Sequence, residues 1–335
     1  MHASLTQRLF ALSLVMGICA RTLAADDKAK PAPAATPADA AAKPKPPAGT
    51  KPTEANVPYG KHPKQVIDFY KAESSTPTPV VFFIHGGGWQ GGSKDKYGVD
   101  PFLKQGISVV AVEYRFIPEA TSDGVEPPVK GPLTDAARAL QFVRSKAQEW
   151  NIDKTRIGAT GGSAGACSSL WLAFHDDLAD PKSDDPVARE STRLLCAAVN
   201  GAQTSLDPKQ MKEWMPNSKY GGHAFGFAPD PAKKLTQFDT FLAGREKILP
   251  WIKEYSPYEL VTSDDPPVYL YYGGAPAMGQ DQKDPTHSAN FGVGLQEKCK
   301  ATGVECLLVY PEAPNAQYPN ITEYLIAKLK GAKTP

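Results

Sequence analysis

The stretch TRIGATGGSAGACSSLWLAF, residues 155–174, sets the tightest limit on what this chain can fold into. A short strand-forming run enters a glycine turn, and an apolar run of helical character leaves it. A strand that passes at once into a helix forces the residue between them, here Ser163, into strained backbone geometry. The residues two before and two after it, Gly161 and Gly165, must lack bulk so that the chain can pass itself. The result is a serine hydroxyl standing above a sheet edge at the N-terminus of a helix, so the rest of the chain has to supply that sheet.

It does so by alternation. TPVVFFIH (78–85), GISVVAVEYRF (106–116), LLCAAVNG (194–201), PPVYLYYGG (266–274) and VECLLVYP (304–311) read as further strands. Helical spacing marks TDAARALQFVRSKAQEW (134–150), with Thr134 as its N-cap, and SANFGVGLQEKCKATG (288–303), ended by Gly303. Strands and helices on this spacing predict an α/β fold with a mostly parallel central sheet and helices on both faces. Residues 202–262, rich in Trp, Tyr, Pro and Gly, break the rhythm and read as a cap-like insertion over one end of the sheet.

The first 56 residues follow other rules. A basic start, the apolar run LFALSLVMGICA and small residues at Thr22 and Ala24 read as a signal peptide over 1–24. Met16, Gly17 and Ile18 make a poor lipobox for Cys19. Residues 25–56 are an Ala/Pro/Lys-rich segment without apolar periodicity, expected to be a disordered tether. The folded domain is expected over 57–335, and the protein to be secreted or periplasmic with no stable membrane insertion after cleavage. A net charge of +1 gives no basis for capturing nucleic acid. Cys167, Cys196, Cys299 and Cys306 show no CxxC spacing and read as buried free thiols, with one disulfide left open. No metal and no organic cofactor is implied.

A second motif reinforces the first. IHGGGW, ending at Trp89, directly follows the strand VVFF. Consecutive glycines let backbone N–H groups turn toward a developing negative charge with no side chain in the way. His85 reads as a residue that orients this loop. Together the two motifs resemble the α/β-hydrolases of the HGGGW type, among them BD-FAE-like esterases, carboxylesterases of the hormone-sensitive-lipase kind and kynurenine formamidase. The likeness covers about 270 residues, from VIDFYKAESSTPTPVVFFIHGGGW through VEYRFIPEA to GGSAGA and on to the last strand. It implies ester or amide hydrolysis through an acyl-serine, with Ser163 as nucleophile and Gly87, Gly88 and Ala164 as oxyanion-hole donors. Trp89 and His223 are candidates for contact with substrate or cap.

The family's acid and base are displaced here. No acid directly follows VYLYYGG; Asp284, followed by Pro285, is the acid equivalent if APAMGQDQK is an insertion, with Asp281 second. Where the family has histidine after the last strand, the chain has Asn315, and asparagine cannot take a proton from serine. His62 and His175 are wrongly placed to replace it. His287, three residues beyond Asp284, is the stronger substitute, and His223 the weaker. Two expectations follow: a secreted serine esterase acting on short acyl (acetyl or aromatic) esters, free or linked to polysaccharide, with a non-standard base; or a catalytically impaired homologue that binds a ligand or glycan.

Overall fold

The computed structural model describes residues 49–313 and 316–331. The expected signal peptide, most of the expected tether and Asn315 lie outside the described residues. The strands are β1 (Glu54–Pro58), β2 (Val66–Tyr70), β3 (Thr78–Ile84), β4 (Ser108–Val112), β5 (Ile152–Gly162), β6 (Cys196–Asn200), β7 (Val268–Tyr271) and β8 (Cys306–Val309). They form one sheet in the order β1-β2-β4-β3-β5-β6-β7-β8. Pairs β1–β2 and β2–β4 are antiparallel and the others parallel.

Burial on both faces explains the unbroken apolar runs. Every residue of β4 is buried. On one face Val80, Phe82 and Ile84 pack with the helices Lys130–Ser145 and Ala164–Phe174; on the other, Val81 and Val109 share a core with Tyr324, Leu325 and Leu329 of the helix Ile321–Leu329. Strand β3 lies between β4 and β5: the chain passes from β3 to β4 on one side and then crosses back over β3 to β5 on the other. In open α/β sheets that reversal leaves a crevice at the carboxyl ends of the strands.

Three expectations are corrected. Ordered structure begins earlier than Val57, because β1 pairs with β2 from Glu54. The helix expected from Thr134 starts at Lys130, and Thr134 sits one turn inside it, donating its hydroxyl back to the Lys130 carbonyl at 2.7 Å. Pro132 is tolerated because first-turn amides have no helical partner. Finally, the cap's leading residues 202–207 are wholly buried and belong to the core. The short helices Pro208–Trp214, Gln237–Gly244, Leu249–Tyr255 and Pro257–Leu260 follow them. Asp207 begins this set by accepting the Lys209 N–H at 2.8 Å as N-cap. It also receives two bonds from Arg245, at 2.7 and 2.6 Å.

Candidate active site

Ser163 stands where β5 meets the helix Ala164–Phe174, at φ 53° and ψ −123°. Its glycine neighbours are required by contact as much as by conformation. A Cβ on Gly165 would lie 2.1 Å from the Ile84 carbonyl oxygen, and one on Gly161 would lie 2.5 Å from the same atom. The turn that carries Ser163 is therefore pressed against the end of β3, which fixes its distance from the glycine loop that β3 leads into.

That loop is held by its carbonyls. If the His85 Nδ1 carries a proton, it donates to the Gly86 carbonyl at 2.8 Å. The Gln90 N–H donates to Gly87 O at 3.0 Å, and Ile117 N–H to Trp89 O at 2.7 Å. His223 Nε2 reaches Gly88 O at 3.1 Å from the cap. In a trans peptide the carbonyl and the following N–H point in opposite directions. Pinning Gly86 O and Gly87 O therefore turns the N–H groups of Gly87 and Gly88 the other way. Among the described residues those two N–H groups, and that of Ala164, donate to no protein acceptor. Three free donors beside a serine hydroxyl form an arrangement able to receive an anion.

Of the residues expected as acid and base, His287 reaches the serine and Asp284 reaches His287. His287 Nε2 lies 2.9 Å from Ser163 Oγ, and His287 Nδ1 lies 2.8 Å from Asp284 Oδ2. Burial works against the Asp284 charge, but the His287 imidazole and the N–H groups of Thr286 and His287 outweigh it and hold the carboxyl below the usual carboxylate range. An ionised carboxylate only accepts, so Nδ1 carries the proton and Nε2 is free to accept from Ser163. The Asp284 side chain is 61% exposed, so the pair lies at an open rim. A cavity of about 550 Å³ holds Ser163, Gly86, Asn200 and His287, and a second of about 650 Å³ continues past His287 along Gly274, Lys283 and Ser288.

Trp89 and His223 meet at the cap, with ring centroids 6.2 Å apart, and His62 and His175 lie away from the serine. Trp89 is completely buried; its indole N–H donates to Ser168 Oγ at 3.0 Å, so it anchors the glycine loop and presents nothing to a substrate. His223 spends Nε2 on the Gly88 carbonyl, and burial lowers its pKa. His175 lies 3.1 Å from Glu254, and His62 Nδ1 accepts from Lys64 N–H. Within the cap-like insertion Phe225, Phe227 and Phe238 pack around Phe241, and Trp214 packs edge-on against Tyr258 and Phe291. Gln203, which touches both the end of β6 and the His287 loop, gave no signal in the sequence.

A family profile described as BD-FAE matches residues 67–282, more than half of the chain. The match takes in the glycine loop and Ser163 and stops two residues short of Asp284. Among curated proteins, gut esterase 1 of Caenorhabditis elegans is 38% identical over 119 residues, 32% of this chain and 20% of that protein. Carboxylesterase NlhH of Mycobacterium tuberculosis is 37% identical over 101 residues, 28% of each. These alignments thus span between a fifth and somewhat more than a quarter of the relatives' own length. Among solved structures, an acetyl ester-xyloside bifunctional hydrolase from Caldicellulosiruptor lactoaceticus is 25% identical with a TM-score of 0.54, over 73% of this chain and 76% of that one. A truncated carbohydrate esterase from gut microbiota, 20% identical, shares the fold with a TM-score of 0.62 over 84% of this chain and 100% of its own.

Proposed function

This chain belongs to the BD-FAE family of α/β-hydrolases, and from that premise we propose that it is a serine esterase whose base is His287. The single observation that carries this reading is the continuous hydrogen-bonded line from Ser163 Oγ through His287 to Asp284. In the proposed reaction Ser163 Oγ attacks the acyl carbonyl while His287 Nε2 takes the hydroxyl proton. The carbonyl oxygen gathers the N–H groups of Gly87, Gly88 and Ala164 as its charge develops. The alcohol then departs with the proton held on Nε2, leaving an acyl-serine. Water, deprotonated by the same nitrogen, releases the acid and restores the serine. Asp284 keeps the imidazole in the tautomer this cycle needs and offsets its transient charge.

Short acyl groups, acetyl or small aromatic, on soluble or polysaccharide-linked alcohols are the proposed substrates, and export is the proposed destination. The similarity to an acetyl ester-xyloside bifunctional hydrolase lends support to the first. The reading of an impaired binding module has no comparable support, because the cap's aromatic rings pack on one another.

The decisive experiment uses p-nitrophenyl acetate and a fluorophosphonate probe. Ser163→Ala removes turnover and labelling, and His287→Ala lowers kcat by roughly four to six powers of ten. Because His287 already occupies the base position, Asn315→His brings no comparable gain. A wild-type protein that neither turns over the ester nor takes the probe between pH 6 and 9 would overturn the proposal.

A further inference from the structure

Gln203 is completely buried in the segment that follows β6. Its Nε2 donates to the Thr286 carbonyl at 2.6 Å and to the Gly201 carbonyl at 3.2 Å. Both partners only accept, so the amide nitrogen and not the oxygen must face them. The Oε1 on the other side has no partner among the described residues. A buried acceptor left unpaired is unfavourable, so packing alone gives no reason for a carboxamide here.

The bonds it makes converge on the proposed base. The Thr286 carbonyl and the His287 N–H belong to one peptide plane and point in opposite directions. Gln203 holds the carbonyl end, and Asp284 Oδ1 accepts the N–H end at 3.3 Å. The peptide that carries the imidazole is therefore clamped from both sides. The second carbonyl belongs to Gly201, which has φ 59° and lies against the imidazole: a Cβ there would sit 3.4 Å from both Cβ and Cδ2 of His287. One amide group thus ties the surface under the ring to the peptide that bears it.

We infer that Gln203 is the positioning residue of the proposed base: its buried carboxamide sets where the His287 imidazole stands over Ser163. The inference rests on the esterase reading and adds to it the device that lets a histidine from the loop after β7 serve. Gln203 touches no reacting atom and acts through His287.

The test compares wild type with Gln203→Met, which keeps length and apolar bulk but has no N–H to donate. Gln203→Asn, whose shorter amide cannot span both carbonyls, serves if the first variant does not fold. Misplacing a catalytic group by about 1 Å costs on the order of a hundredfold, so kcat for p-nitrophenyl acetate is expected to fall about 10- to 100-fold, with KM changed by less than about threefold. The proton shared by His287 Nδ1 and Asp284 is expected to give a far-downfield NMR resonance in the resting protein. That signal is expected to broaden or vanish in the folded variant, which a role in stability alone would not cause. Wild-type kcat together with an unchanged resonance overturns the inference, as does a rise in KM at constant kcat. An inactive, unlabelled wild type overturns the esterase reading before any variant is made, while the resonance still decides whether Gln203 holds the histidine.

Discussion

Ser163 holds a backbone conformation, φ 53° and ψ −123°, that side chains other than hydrogen seldom adopt. Strain of this kind costs about 1–3 kcal/mol and persists where the surroundings enforce it. Ser163→Gly should therefore unfold at higher denaturant than Ser163→Ala, by about 1 kcal/mol in equilibrium urea titrations, while both are inactive. Equal stabilities would mean that the turn stores no strain. Gly165→Ala falls on the opposite side, since its methyl group would strike the Ile84 carbonyl of β3, and little soluble protein is expected. At this scale the sequence was most readable where sterics are local: glycines two residues either side of a serine report a tight turn wherever they occur. His287 was readable for a related reason, lying three residues from its carboxylate. Gln203 was not, because its partner Thr286 is 83 residues away and a lone glutamine has no spacing to betray it.

The elements that escaped sequence reading are those whose stability comes from partners far along the chain. Strand β2 carries Asp68 in its middle, which breaks an apolar pattern; the structure buries that carboxylate against Lys94 Nζ at 2.9 Å. Only the fold reveals that the charge is paired. The cap has a similar dependence in the Asp207–Arg245 pair. Burial raises the Asp207 pKa, yet the Arg245 guanidinium and the Lys209 N–H outweigh it and hold the carboxyl below its usual range. Arg245→Met leaves this carboxylate buried without its cation and should cost about 2–4 kcal/mol at pH 7. A depressed carboxyl stabilises the fold above its unfolded value near 4, and the benefit is lost as pH falls through the folded value. The stability gap between wild type and variant should accordingly narrow below about pH 4 in pH-dependent melts, whereas a gap constant to pH 3 would remove the ion pair as its cause. The cap also reaches the glycine loop through His223. His223→Phe should lower kcat by roughly tenfold with KM held, and His223→Gln, which restores an N–H at similar reach, should recover most of it.

Across the whole molecule the parallel half of the sheet was legible from alternating apolar runs, and its edge was not. Among these strands β3, β4, β6 and β7 are almost wholly buried and announce themselves by composition. The antiparallel pair β1–β2 grows out of a Pro- and Lys-rich segment that reads as loose chain until its partner is known. The helix Ile321–Leu329 was likewise passed over, being only nine residues long, although Asn320 caps it by accepting the Glu323 N–H at 2.9 Å.

Drawing the imidazole from the connection that follows β7 has an outcome for the tail of the polypeptide. In the proposed mechanism hydroxyl, ring and carboxylate have all been supplied by residue 287, so that mechanism asks nothing of β8 or the last helix in proton transfer. Leu325 is fully enclosed there, and trimming it to alanine should lower the melting temperature by a margin worth about 2–5 kcal/mol while kcat/KM of the surviving folded fraction stays unchanged. In a hydrolase whose histidine came after its final strand, damage to that strand would strike turnover and integrity together; the proposed base predicts that the two are separable on this chain.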